Sequence, residues 1–384
     1  LFNTNACQNC HIKDGRGHPP APGDSNAVSM LVRLSIPNDP AYATLIEQSG
    51  VLPEPVYGGQ LQDMAIPGVA PEGKVRVDYE LLPVTFKDGT RIELRQPKLQ
   101  ITQLGYGPMH PGTLFSARVA PPMIGLGLLE AIPDAAILAN ADTQHQRNNG
   151  ITGRPNRVWD DAQQKIVLGR FGWKAGQPNL NQQNAHAFSG DMGLTTGLKT
   201  ADDCTSTQID CLNAPTGKGP EGEPEVSDNI LRLVLFYSRN LGVPARRDVD
   251  NRQVLAGKTL FYQTGCQQCH TPQFTTGANA AEPEQANQVI RPYSDLLLHD
   301  MGEGLADHRS EFQATGRDWR TPPLWGIGLT ETVSGHTQFL HDGRARNLLE
   351  AVLWHGGEAH AAQQQVLAFS AEQRTALLAF LNSL

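Results

Sequence analysis

The chain has 384 residues, enough for two or three hydrophobic cores, and its 39% apolar and 18% charged residues exclude a disordered polymer. A formal charge of −8 without any block of Lys or Arg excludes a nucleic-acid surface, which needs clustered cations. No run of 18 apolar residues exists, since the longest candidate, Met123 to Leu138, is interrupted by Gly125, Gly127, Glu130, Pro133 and Asp134. With 38 Gly and 27 Pro, much of the backbone runs in turns and long loops.

In chain order, the first informative segment is CQNCH, Cys7 to His11. Two thiols three positions apart on one helical turn reach the two vinyl groups of a porphyrin, and the adjacent imidazole faces its iron, so CxxCH predicts a covalently attached c-type haem with His11 as proximal ligand. Next, KVRVDYELLPVTFKDGTRIELRQPKLQITQLGYG, 74 to 107, alternates about Asp88-Gly89 and predicts a β-hairpin insert. Cys204 and Cys211 lie in a polar stretch with no following His, and predict a local disulfide, with two free thiols as the alternative. Ser227 to Leu241 reads as an amphipathic helix with Ile230, Leu231, Val234, Leu235 and Leu241 on its apolar side.

Pro244 and the charged run to Asp250 break this pattern. A second helix, Asn251 to Tyr262, then leads into CQQCH, Cys266 to His270, the second haem motif. A thioredoxin-type CxxC would need a surrounding βαβ pattern, and zinc would leave the His of each motif superfluous. Asn347 to His355 reads as a helix ended by Gly356-Gly357, which sets His355 at a helix end. Ser370 to Leu384 starts with a Ser370/Gln373 capping box and turns Leu377, Phe380, Leu381 and Leu384 inward.

LFNTNACQNCH at 1 to 11 matches LFYQTGCQQCH at 260 to 270 in Leu, Phe, Cys, Gln, Cys and His. The repeat predicts a mainly α fold of two cytochrome c-like domains, 1–250 with the β insert and 251–384. A fainter echo pairs GRFGWKAGQPNL, 169 to 180, with GRDWRTPPL, 316 to 324, and GDMG, 190 to 193, with HDMG, 299 to 302. Haem attachment and a disulfide both point to an oxidising compartment, the periplasm, with a leader expected upstream of Leu1.

These segments, together with GLGLLEAIPDAAIL (125 to 138), YSDLLLHDMG (293 to 302), WRTPPLWGIG (319 to 328) and FLHDGRARNLLEAVLWHGGEA (339 to 359), resemble the di-haem oxidoreductases related to bacterial di-haem cytochrome c peroxidases and MauG. The resemblance implies two haems of unequal role. His270 and His355 would hold the C-terminal one as a bis-His electron-transfer haem, where the peroxidases have Met and MauG has Tyr. The N-terminal haem on Cys7, Cys10 and His11 would be open or weakly held, with His186 or Met192 on its distal side, and would be the reactive centre. Gln182, Gln183 and His186 become candidates for proton transfer, and Trp173 or Trp319 for an aromatic bridge between haems. His18, in a Pro-rich loop, and Met123, in an apolar run, read as structural. Relatives also imply a Ca2+ site between domains and peroxide or a small oxidisable substrate, and the acidic charge of −8 points to a small electron-transfer protein with a basic face, a cytochrome c or cupredoxin, as partner. A pure electron-transfer cytochrome with both irons six-coordinate is the rival expectation.

Overall fold

The computed structural model describes residues 1–25 and 27–384. Its architecture is mixed rather than mainly α, with 32% of the chain helical and 18% in strands. The helical expectation missed short strands whose alternation is brief. In β1 (Met30–Ser35), Met30, Val32 and Leu34 face the core while Leu31 and Arg33 take the other face. This strand is the centre of a three-stranded antiparallel sheet between β2 (Gln60–Leu61) and, once the chain has passed through a hairpin, β5 (Leu114–Val119). Arg33 is paired with Gln60 on one side and Ser116 on the other, so these three polar side chains share a face.

The expected insert is a ribbon of β3 (Lys74–Thr85) and β4 (Arg91–Thr102), in register from Lys74 opposite Thr102 to Thr85 opposite Arg91. Asp88 Oδ1 accepts from Thr90 N, and Gly89 supplies φ +85° in the turn. The ribbon is longer than a local hairpin needs to be because its tip is anchored elsewhere. Phe86 is buried under the Arg374 guanidinium, 4.3 Å from its ring centre, Arg374 pairs with Asp88 at 2.8 Å, and Lys87 N donates to Leu367 O. An insert in the first half therefore braces the last helices.

The Arg252–Gln263 helix crosses the Ala371–Ser383 helix at Gly257, where an added Cβ would lie 1.8 Å from Ala376 O. Phe261 and Phe380 close that crossing at 5.2 Å, and Ser370 and Gln373 form the predicted capping box. The other copy of the Leu-Phe pair behaves differently, since Phe2 makes a β-bridge to Met64. The Asp228–Asn240 helix, capped by Ser227, packs Leu231 and Val234 against Ala185 and Phe188, while Ile230 stays 48% exposed. Cys204 and Cys211 are disulfide-bonded. One apolar cluster runs from Met30, Val32 and Leu34 through Trp173 and Trp319 to Leu377 and Phe380, joining both halves.

A second repeat is visible in the backbone, though not the one expected. Phe171 bridges Gln177 as Phe339 bridges Ala345. Gly172 and Leu340 have φ +78° and +70°, Ala175 and Gly343 +51° and +72°. Asn179 and Asn347 then cap the Leu180–His186 and Leu348–Leu353 helices with their side chains. GRFGWKAGQPNL thus has its counterpart in FLHDGRARNLL. The GRDWRTPPL and HDMG segments pair instead as strands, Asp318–Arg320 against Leu298–Asp300, whereas GDMG ends a π-helical turn.

Candidate functional site

At the second CxxCH motif, His270 and His355 face each other with ring centres 6.4 Å apart and planes tilted by 44°. Each ring is oriented through Nδ1, His270 toward Tyr293 O at 2.9 Å and His355 toward Ala351 O at 2.7 Å. Donation from Nδ1 to a carbonyl leaves Nε2 as the free lone pair, the arrangement of an oriented metal ligand. A metal–imidazole bond is about 2.0–2.1 Å, so two rings on one metal have centres roughly 6 Å apart, and this pair fits such a centre. Burial, helped by the His355 charge, lowers His270 to about 4, and burial also lowers His355. Both rings are therefore neutral and ready to ligate. Phe261, Tyr293 and Phe380 pack beside them.

His299 lies 3.6 Å from Cys269 Sγ, between Asp295 Oδ2 at 2.9 Å and Glu358 Oε2 at 2.7 Å. Although burial opposes its charge, the Asp295 carboxylate holds this ring protonated well above the ordinary histidine range. Cys269, Asp295 and His299 are the one group of three metal-capable side chains found among the described residues. A thiol and an imidazole do not make the oxygen cage that calcium takes.

At the first motif, Cys7–Cys10 forms a single helical turn. Cys7 Sγ is 3.9 Å from Met192 Sδ, and Cys10 Sγ donates to Val28 O at 2.9 Å. Burial pushes the Cys10 thiol up to about 12. His11 Nδ1 is buried without a hydrogen-bond partner among the described residues, and burial lowers the ring's pKa while the nearby Asp191 charge opposes that shift. A thiol pair and a neutral imidazole at this spacing suit the same cofactor as the second motif.

The segment over this motif is the continuation of the Leu180–His186 helix into the π-helical turn Ala187–Asp191. In the repeated loop and helix, Ala187 is the counterpart of His355. Ala187 N donates to Asn184 O and Gln183 O, as His355 N donates to Val352 O. Asp191, within the quoted GDMG but without a sequence signal of its own, is half-buried, and burial lifts its carboxyl above the usual range against the pull of Arg33. Gln60 Nε2 donates to Asp191 Oδ1 at 2.9 Å.

His186 is not free to ligate. Its Nε2 meets Asp161 Oδ2 at 2.8 Å and its Nδ1 meets Gln177 Nε2 at 3.0 Å, while Lys199 joins Asp161 at 3.1 Å. Gln182 is occupied in holding the Arg157–Asp160 strand through Asp161 N and Trp159 O. Gln183 is half-buried on the same helix. His18 Nδ1 meets Pro19 O and its ring packs edge-on to His336, in keeping with a loop residue.

Both candidate bridging tryptophans are buried between the halves, and a histidine joins them. Trp319 and His341 stack at 3.6 Å and 11°, and Trp173 meets His341 edge-on at 6.5 Å. Trp173 Nε1 donates to Val119 O and Trp319 Nε1 to Leu305 O, both at 2.8 Å. Trp173 and His341 are counterparts in the repeated loop, so the two copies meet at this stack. His341 was legible only as part of the FLHDG string.

Two paired-cysteine motifs and two facing copies of one loop define a protein built around a pair of haem-binding centres. The family model "Di-haem oxidoreductase, putative peroxidase" matches residues 1–384, and the chain belongs to that family of haem-containing oxidoreductases. The search among curated proteins returned no match. Among solved structures, Kuenenia stuttgartiensis hydrazine synthase pressurised with xenon is similar over 49% of this chain and 65% of its own, with 16% identity and a TM-score of 0.28. Among the described residues, no helix is long and apolar enough to cross a membrane.

Proposed function

We propose that the chain is a periplasmic, c-type di-haem peroxidase with two unequal centres. Cys266, Cys269, His270 and His355 hold a bis-His electron-transfer haem in the domain 251–384. Cys7, Cys10 and His11 hold a haem in the domain 1–250 whose opposite face is open. What supports this asymmetry is the duplicated loop and helix, in which His355 has Ala187, a methyl group, as its counterpart. When bound, each haem supplies an iron that exchanges single electrons, and one with a free coordination position also takes a small ligand.

The chain's own residues supply the proton chemistry. Asp191, whose carboxyl burial shifts toward its protonated form, is the proton-bearing group for a ligand entering opposite His11, and Gln60 Nε2 fixes its Oδ1. The hydrogen-bonded run of Gln177, His186, Asp161 and Lys199 leads from this region toward partly exposed positions. Trp173, His341 and Trp319 form the aromatic contact between the halves through which electrons cross. Hydrogen peroxide with two electrons and two protons gives two waters, the electrons arriving from a small cytochrome c or cupredoxin whose basic face suits a chain of charge −8.

The test uses matured full-length protein. Mass spectrometry is expected to find two added haems, electron paramagnetic resonance one low-spin and one azide-responsive iron, and stopped-flow spectroscopy donor oxidation on peroxide addition. Two six-coordinate irons that bind neither cyanide nor peroxide, ferric or half-reduced, would favour the pure electron-transfer reading.

A further inference from the structure

Arg33 has a guanidinium for which the described residues provide no hydrogen bond or ion pair. Its direction is set by register. Gln60 stands directly opposite Arg33 in the sheet and reaches Asp191 Oδ1, while Ser116, opposite on the other side, donates to Asp307 Oδ2 at 2.6 Å. Arg33 therefore extends between Asp191 and the buried charge cluster that includes Asp307 and Glu311.

Each of these three carboxylates already has a partner. Glu311 Oε2 is already engaged by Arg118 at 2.7 Å and by Arg309 at 3.0 Å, and Lys174 takes Asp307 Oδ1 at 2.9 Å. Asp191 Oδ1 is held by Gln60 Nε2 at 2.9 Å. An unpaired cation at the edge of a low-dielectric interior is costly unless an anion joins it.

Two acceptors lack partners among the described residues, one on Gln60, opposite Arg33 in the sheet, and one on Gln177, which touches His186. Among the described residues, Gln60 Oε1 and Gln177 Oε1 are buried acceptors without donors, one on the residue that holds Asp191 and the other on the residue that holds His186. A small hydrated anion answers both needs, its charge to Arg33 and its water hydrogens to the two amide oxygens.

We propose that Arg33 is a distal cation of the first centre, donating to a small anionic ligand opposite His11 and making this centre selective for anions over neutral ligands of the same iron. The proposal rests on the open-face reading given above.

The experiment titrates the ferric, fully loaded, full-length protein with azide, fluoride and neutral imidazole, followed in the Soret band. Arg33→Gln is expected to raise the Kd of azide and fluoride at least tenfold and that of imidazole less than twofold. Arg33→Lys, which keeps the charge, should recover part of the azide affinity and serves as the comparison if Arg33→Gln loads haem poorly, Arg forming bidentate contacts that Lys does not. Equal shifts for azide and imidazole, or none, at two haems per chain would overturn the assignment. So would a moved reduction midpoint with unchanged anion affinity, which would put Arg33 on a haem carboxylate. A wild-type protein that binds none of the three ligands in either redox state refutes the open face itself, whereas ligand binding indifferent to Arg33 refutes this inference alone.

Discussion

Ala187→His should convert the first centre into a copy of the second. His355 is oriented by a bond from Nδ1 to the carbonyl four residues back, Ala351 O. Ala187 N already reaches Gln183 O, also four residues back, so a histidine at 187 finds the counterpart carbonyl in the same turn. Position 187 is half-buried, so its side chain is not locked inside the core. The orienting hydrogen bond is worth about 1 kcal/mol net, and bond formation to the metal adds to it. If the new ligand occupies the metal in nine of ten molecules, an external ligand must compete against about 1.4 kcal/mol, and its Kd rises about tenfold. The assay is azide titration of the loaded ferric protein beside electron paramagnetic resonance, in which the high-spin signal should give way to a second low-spin one. A fully loaded Ala187→His protein with its high-spin signal intact and an azide Kd within twofold of the wild type would refute the equivalence of 187 and 355.

Three further outcomes are expected. His355→Met should raise the reduction midpoint of the second centre by part of the ~0.8 V range that axial ligands span, and an unchanged midpoint in a redox titration counts against His355 as ligand. Burial opposes ionisation of Glu311, but Arg118, Arg309 and Arg33 lower its carboxyl to about 2 from 4.5, so it contributes about 3 kcal/mol above pH 4.5 that is lost as pH falls toward 2. Thermal unfolding of Glu311→Gln should accordingly lie well below the wild type at pH 7, with the gap narrowing below pH 4.5, and a gap independent of pH would be contrary evidence. Gly257→Ala drives a methyl into Ala376 O at the helix crossing and should cost about 3 kcal/mol, read as a lower Tm by circular dichroism, with a wild-type Tm the contrary result.

What the sequence revealed followed from local chemistry. CxxCH, the capping box at Ser370, the Asp88-Gly89 turn and the amphipathic 227–241 stretch each carry their meaning within a few residues, and the capping box, the turn and the helix appear where they are expected. The sheet around Arg33 escaped because β2 has only two residues and pairs across the intervening Ile36-to-Gly59 segment, so no hairpin signal marks it. Asp191 and His341 escaped for another reason. Their significance lies in burial and in what faces them across the fold, and an Asp before Met-Gly or a His before Asp-Gly has no spacing that reports either. By residue identity GRFGWKAGQPNL echoes GRDWRTPPL, whereas its structural counterpart, FLHDGRARNLL, shares backbone angles, an Asn cap and little sequence.

That disparity between backbone and side chain bears on how one scaffold hosts two different centres. At each left-handed position of the repeated loop one copy has Gly and the other does not, with Leu340 opposite Gly172 and Ala175 opposite Gly343. A non-glycine residue there costs roughly 1 kcal/mol and persists only where the surrounding packing dictates the turn, so the loop shape is imposed by its place in the fold rather than by local preference. The side chains borne on that fixed shape then diverge. Lys174 joins Asp307 where its counterpart Asp342 joins Arg344, Trp173 meets His341, and Ala187 stands where the other copy has His355. Because these exchanges leave the turn, cap and helix geometry in place, charge and ligation at either centre can be altered by single substitutions without repacking the frame, which is the physical basis for grafting a histidine at 187.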